Sequence, residues 1–417
     1  MVQFETDDRG LERALIALGD EFERCGGFIH ADLRIGANES GFVVKAPAAL
    51  GEKETLVRLP RGAFLPVDKF TLALQGADIC VVSHDADLPA HQVRLLELML
   101  ELYNRTDKIG FHKKTDTMQL YLKDKPLLFR LLKCREHGRV QFSDTAGEDV
   151  DSFHLTSFLN TRVLKLRLDP NSTEMRKILM PVIDFLNNHP KAEGLQSKDG
   201  ENVSILKMSP VAGSEECYIR YGMYDALDCL IRYSYAEEHG FFVRSAPMTI
   251  ELPPLGRLRV KSTHTPGKYK TLPKEIHDVW RHLPNVKIDV GTNVAEVEFI
   301  HIPQADPPFA LRRVLAVVLK TMMTHLKARM TEEAFSTAIL TAEHEIVARN
   351  VKLYEDFEKD LSTYVAKRGC ELVVDNAKRV MRLQRESIER YPFFEEAMAF
   401  EPPAPAAQFG YGFSYKE

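Results

Sequence analysis

Side chains suited to handling a positive charge crowd one stretch of this chain. From Ile178 the apolar run ILMPVIDFL leads to the polar residues Asn187, Asn188 and His189. Two strand-like segments follow, VSILKM and ECYIRYG, separated by a Pro/Gly turn, and Tyr221, Tyr224, Tyr233 and Tyr235 gather at the far end. A tyrosine ring face stabilises a cation, and its hydroxyl can orient an amine or a small alkyl group. The same tyrosines could equally be packing residues at strand and helix ends, where aromatics are usually core. Other chemistries lack their residues. His344-Glu345 begins a zinc-protease pattern, but position 348 is Ala rather than a second histidine. There is no G-x-S-x-G elbow, no phosphate-binding G-x-x-x-x-G-K-[ST] loop and no strand-linked G-x-G-x-x-G. Cys25, Cys80, Cys134, Cys217, Cys229 and Cys370 show no C-x-x-C spacing, so no metal centre and no disulfide scaffold is expected, only reduced thiols.

The order of these segments carries more than any one of them. Pro181, Asp184 and Asn187 form a "P-x-x-D-x-x-N" segment; Gly213, Glu215, Glu216, Tyr221 and Gly222 form a second; Tyr233, Ser234 and Tyr235 close a short helix. This succession resembles the SET-domain methyltransferases, in the branch that includes the Rubisco large-subunit methyltransferase and its histone and actin relatives. Upstream, FIHADLRI, GFVVKA and ETLVRLP read as strands with turns at ANESG and LGEKE, similar to the opening of a SET domain. KKTDTMQLYLKDKPLLFRLLKC, with Tyr121, Leu122 and Pro126, is similar to the helical insert that splits that domain.

The resemblance implies S-adenosylmethionine as cofactor and Tyr221 and Tyr233 as the catalytic tyrosines. It places Glu39, Ser40 and Gly41 in the cofactor loop. Glycine there lets the backbone approach closely. Arg162, in the pair Thr161-Arg162, falls where the family has an arginine of the cofactor pocket, and a guanidinium fork suits a carboxylate; the alternative is an arginine on a solvated helix face. Asn187 matches the asparagine that holds the cofactor's amino end and adenine side, and Asn188 follows it. Four departures stand out: a single glycine in Glu39-Ser40-Gly41, Asn188 where the family has His, Asp225-Ala226 in place of Ser-Asn, and Ser234 in place of Gly. The displaced histidine, His189, is expected to be exposed in a polar turn. Loss of the Ser-Asn pair is expected to remove backbone hydrogen bonds.

The elements that must position these residues follow from pattern and composition. A chain of 417 residues exceeds one core, so two or more domains are expected. The net charge of −5 gives no basic surface for nucleic acid or membrane, no apolar run approaches a membrane span, and the acidic MVQFETDDRG is no secretory signal. A cytoplasmic protein is therefore expected. Leu11, Leu15, Ile16 and Leu18 mark a helix over 10–24 that ends at Gly26-Gly27; Leu95, Leu98, Met99 and Leu102 mark another from His91. Pro307-Pro308 suits the entrance of a long helical region, with Phe335, Ile339, Ile346, Leu353 and Phe357 as its core. The fold class is α+β: a β-rich SET domain in two parts (1–90 and 151–255) around a helical insert (91–150), a β-containing region of open role (256–303), a helical C-terminal domain (304–400) and a tail (401–417). The expected function is cofactor-dependent methylation of a lysine side chain, on a protein substrate held between insert and C-terminal domain. The competing expectation, from the departures, is a SET-like scaffold that binds proteins without catalysis.

Overall fold

The computed structural model describes residues 3–38, 41–47, 50–135, 149–168, 174–197, 202–207, 215–263, 278–304 and 309–391. In chain order its helices are α1 (Arg9–Arg24), α2 (Ala90–Arg105), α3 (Lys108–Thr115), α4 (Gln119–Lys123), α5 (Lys125–Lys133), α6 (Val150–Asn160), α7 (Ala226–Tyr233), α8 (Ala310–Leu326), α9 (Glu332–Ser362) and α10 (Glu371–Glu389). Mixed with short strands, they make the expected α+β class. The chain divides into two units, Met1–Asp116 with Thr145–Met223, and Thr117–Asp144 with Tyr224–Glu417. Each has its own hydrophobic core. The helices of 91–150 are thus shared between them, α2 and α3 in the first unit, α4 and α5 in the second.

In the first unit, Asp8 caps α1 by accepting from the Gly10 and Leu11 amides at 2.6 and 3.1 Å, and Gly26 follows the helix at φ +83°. Leu11, Leu15 and Leu18 are buried as expected, but Ile16 is 44% exposed. Its Cα lies a further 100° around the helix from Leu15, off the apolar stripe. FIHADLRI does not run as one strand. A turn at His30 to Leu33 splits it into β2 (Phe28–Ile29) and β3 (Arg34–Asn38). β3 lies between β1 (Gln3–Glu5) and β4 (Gly41–Lys45), while β2 pairs with β5 (Thr55–Pro60), whose other edge takes β12 (Asn202–Leu206). Residues 61–90, unassigned from sequence, hold β6 (Leu65–Pro66) and a hairpin, β7 (Phe70–Gln75) and β8 (Asp78–His84), turned by Gly76 at φ +70°. β6 also pairs with β10 (Arg176–Leu179), which pairs with β9 (Leu164–Leu166). The last pair, β11 (Asn187–Asn188) with β13 (Tyr218–Ile219), is parallel and joins the two segments singled out from sequence.

The second unit contains a sheet of four strands in the region whose role was open. Its order is β15 (Met248–Leu252), β16 (Gly256–Val260), β18 (Val294–Val297), β17 (Val286–Asp289). The segment NVAEVEFIHIP gives two strands, β18 and β19 (His301–Pro303); the latter pairs with β14 (Phe242–Arg244). α9 packs on α10 and on β15. Phe335, Ile339, Ile346 and Phe357 are buried, with Leu353 partly so. Pro307-Pro308, residues 136–148 and the 401–417 tail lie outside the described residues. No helix among the described residues is long and apolar enough to cross a membrane.

A charged network sits inside this second core. Asp225, fully buried, caps α7 by accepting from the Asp228 amide at 2.9 Å, and Asp228 accepts back from the Asp225 amide. The Asp225 Oδ2 also accepts from Arg135 at 2.5 Å, from the Arg244 amide at 2.8 Å and from Gln384 at 2.7 Å. Asp228 pairs with Arg135 Nε at 3.0 Å and with Arg244 at 3.1 Å. The residue pair expected to lose hydrogen bonds therefore gains a network. The substitution Asp225→Asn leaves two buried guanidinium groups with one carboxylate, and should destabilise the second unit by about 3–5 kcal/mol. Denaturant unfolding checks this; a shift under about 1 kcal/mol would contradict the network's role.

Candidate active site

The turn after β10 gathers most of the site residues inferred for the first unit. Ile183 donates its amide to the Pro181 carbonyl at 2.7 Å, a γ-turn that drives Val182 to φ +65°. A β-branched residue there is strained, and buried packing of its side chain, 1% exposed, holds it. The turn delivers Asp184. Its Oδ2 accepts from Tyr103 Oη at 2.7 Å and from Arg162 at 2.6 Å. The Arg162 guanidinium lies over the rings of Tyr103 and Phe158, 4.9 and 4.6 Å from their centroids. Its Nε is buried with no hydrogen-bond partner among the described residues. Burial, followed by the Asp184 carboxylate, pushes the Tyr103 phenol well above its ordinary value, so it donates as a neutral hydroxyl.

Three more of the inferred residues meet around the same turn. Tyr221 donates its hydroxyl to the Leu186 carbonyl at 2.9 Å, and its amide donates to Asn188 Oδ1 at 2.9 Å. Asn187 donates from Nδ2 to the Phe42 carbonyl at 3.3 Å and to Glu216 at 2.8 Å. Phe42 stacks on Phe185 at 4.2 Å. Gly41 begins β4 at φ +136°, a conformation that favours glycine. A Cβ placed there would lie 1.9 Å from Lys108 Nζ. Glu39, Ser40 and Gly213 lie outside the described residues. His189, expected to be exposed, is 6% exposed. Its amide bonds the Ile219 carbonyl and its ring packs 5.3 Å from Tyr218, because the parallel β11–β13 pairing carries it inward.

Tyr233 belongs to the second unit. It is the last residue of α7, with its ring 5.6 Å from Tyr224 and 6.5 Å from Tyr235, and all three are half-buried. Arg232 lies over the Tyr224 ring at 5.2 Å. Ser234 terminates the helix at φ +65°, where the family pattern has glycine. Its Oγ accepts from the Thr117 amide at 2.9 Å.

Sequence reasoning missed Tyr103 and Lys108, and quoted Asp184 only as part of a pattern. Lys108 opens α3 and lies 5.5 Å over the Phe42 ring. No periodicity distinguishes it from any other half-buried helix lysine.

No protein-family profile and no curated protein matches the sequence. Among solved structures the chain is similar to the SET domain of LSMT bound to lysine and AdoHcy, with a TM-score of 0.38 and 11% identity over 91% of each chain. The same domain bound to MeLysine and AdoHcy gives 0.38 and 10%, covering 93% of this chain and 92% of that one. Rubisco LSMT bound to AdoMet gives 0.35 and 10%, over 90% and 92%.

Burial, with a smaller contribution from Arg162, lowers the Lys108 ammonium from 10.5 to about 8; Asp184 opposes the shift. The unfolded chain binds the proton more tightly, so Lys108 adds stability as pH rises from about 8 to 10.5. Nitrogen-15 NMR of labelled lysine should find its midpoint near 8, and lower still in Asp184→Asn, where the attracting carboxylate is gone. A wild-type midpoint at the ordinary 10.5 would show a solvated ammonium.

Proposed function

We propose that this protein is an S-adenosylmethionine-dependent protein N-methyltransferase whose acceptor is a lysine side chain. The observation that supports this reading is the meeting of Arg162, Asn187 and Tyr221 at the turn that carries Asp184, although Arg162 and Tyr221 stand far apart in sequence. All three were named from the ordered pattern alone. An arginine on a solvated helix face would have shown no such partners.

The residues fit the cofactor. Arg162 retains a buried donor with no partner among the described residues, suited to a carboxylate. When bound, S-adenosylmethionine supplies an electrophilic methyl group carried on a sulfonium. Arg162 would then hold the carboxylate end and Asn187 the amino end and adenine side, and the resemblance assigns Glu39, Ser40 and Gly41 to cofactor binding as well. Asn188 fixes the backbone of Tyr221. The resemblance assigns the catalytic role to Tyr221 and Tyr233, each with a ring face and a hydroxyl suited to an acceptor nitrogen, and the Tyr224 ring lies beside that of Tyr233.

An acceptor lysine must first lose its proton, at a cost of about 4–5 kcal/mol at neutral pH for an ordinary amine. Half-buried tyrosines lower that cost by desolvating the ammonium while their rings stabilise the charge that returns with alkylation. The protein substrate lies on the surface formed jointly by the insert helices α4 and α5 and the C-terminal helices. These are bound to each other by Arg130 with Asp360 at 2.5 Å, by the Arg130 guanidinium over Phe357, and by Tyr364 with Asp124.

The test is calorimetric titration with S-adenosylmethionine, followed by transfer of labelled methyl groups to cell-extract proteins. Micromolar binding is expected, weakened about tenfold or more in Asn187→Ala, which loses a polar contact to the ligand. Tyr233→Phe should bind normally yet transfer about tenfold or more slowly, since its hydroxyl acts on the acceptor. Transfer should speed up about tenfold per pH unit until the bound amine is deprotonated. Well-folded protein that binds no S-adenosylmethionine would overturn the reading and favour the non-catalytic scaffold.

A further inference from the structure

The β7–β8 hairpin of the first unit leaves one strand edge open, and its sequence does little to guard it. Among the described residues β8 pairs only with β7. Its residues, DICVVSH, include neither the lysine nor the proline that commonly blunts an edge, and Val82 is 58% exposed. Asn104 of α2 shows what this edge can hold. Its Oδ1 accepts from the Ile79 amide at 2.9 Å and its Nδ2 donates to the Ile79 carbonyl at 3.1 Å. One side-chain amide thus stands where the peptide group of a neighbouring strand would be. Along an antiparallel strand the backbone groups of successive residues alternate between facing the partner and facing away. Both Ile79 groups face away from β7, so those of Val81 do too, and no bond to either is found among the described residues.

This edge forms one wall of a groove of about 540 Å³, and α2 forms the other. Ile79 and Leu100 are buried apolar residues of its lining. Asp78, Glu97 and Glu101 add three carboxylates, against the single guanidinium of Arg105. Arg105 bonds Glu101 at 2.9 Å, and Arg94, outside the lining, stands 3.5 Å from Glu97. Both pairs are exposed and neutralise little of the groove's charge. A second copy of this chain would bring the same carboxylates to the edge and be repelled, whereas a cationic strand is attracted.

We propose that the β8 edge takes an extended lysine- or arginine-rich segment of a partner protein as an added strand. Val81 supplies the backbone donor and acceptor, Asn104 stops the added strand at Ile79, and the carboxylates select cationic side chains. A bulge follows Val81, where Thr71 and Leu72 oppose Ser83 and Val81, so the regular edge is short. Few backbone bonds are therefore available, and charge carries the selectivity. The site uses none of the residues assigned to methyl transfer and is independent of that reading.

The probe is a fluorescent octapeptide alternating lysine and valine, titrated into the full-length protein by fluorescence polarisation. It should bind, and the matching glutamate–valine peptide should not. Val81→Pro removes an N–H that makes no ladder bond, a change edge strands tolerate, and should weaken binding about fivefold or more, the usual worth of one backbone hydrogen bond. Asp78→Asn combined with Glu97→Gln should weaken it as well, with a larger effect at low salt than at high. Amide hydrogen exchange read by mass spectrometry makes the test independent of how well Val81→Pro folds, because saturating wild-type protein with the lysine peptide should slow exchange across residues 78–84. Absence of that protection would overturn the proposal, as would unchanged affinity in folded Val81→Pro or equal binding of the two peptides. A wild-type protein that binds neither peptide overturns it too. Self-association in sedimentation that Val81→Pro abolishes would assign the edge to a second copy of the chain instead.

Discussion

The second unit is organised around the Asp225 carboxylate. A charge enters a protein core only when opposite charge and hydrogen bonds replace the water it leaves. Asp225 and Asp228 meet that condition with Arg135 and Arg244, two negative charges against two positive, and Gln384 fills a further acceptor site. These partners come from the end of α5, from β14 and from α10, so one side chain ties three separated segments to the N-terminus of α7. Because α7 is only two turns long, fixing its start also fixes its end. Tyr224 precedes the cap and Tyr233 closes the helix, and the edge-on pair they form is a consequence of where Asp225 is held.

The first unit repeats this logic with Asp184. It is reached through a strained turn at Val182, and such strain survives only where the surroundings over-determine it. Tyr103 from α2 and Arg162 just beyond α6 supply that determination, and the stack of Phe42 on Phe185 clamps the turn from the strand side. Asn187 and Asn188 then leave the turn in the parallel pairing with β13 that also fixes Tyr221. In each unit a buried carboxylate thus fixes the segment that carries residues proposed for chemistry.

Local pattern made much of this legible. Leu95, Leu98, Met99 and Leu102 recur at helical spacing and are all buried, and Asp8 and Gly26 bracket α1 by ordinary capping rules. The ordered segments led to Arg162, Asn187 and Tyr221, which the fold brings to one turn. What escaped depends on partners distant in sequence. FIHADLRI breaks because its two halves belong to different sheets, a choice made by β5 and β4 and not by the eight residues themselves. His189 looks solvated in sequence and is buried because β13 pairs beside it. Lys108 has no local mark at all; its significance comes from Gly41 and Arg162, each more than fifty residues away. Ile16 was a simple error of phase, one residue off the stripe.

Departures from a family pattern can be weighed by the same physics. Ser234 stands at φ +65°, a conformation that costs a residue with a side chain about 1–2 kcal/mol relative to glycine. Its hydroxyl, however, accepts the Thr117 amide, a bond that glycine could not make and that leaves no orphaned donor in the core. Asp225 likewise gives up whatever a serine would supply and becomes the anchor of a network. Gly41 is different. At φ +136°, with an ammonium where its Cβ would be, it has no side chain that could compensate for the strain it would introduce. The glycine of the loop that this chain retains is thus the one its backbone cannot replace, and the substitutions it tolerates are those for which a new hydrogen bond offsets the cost.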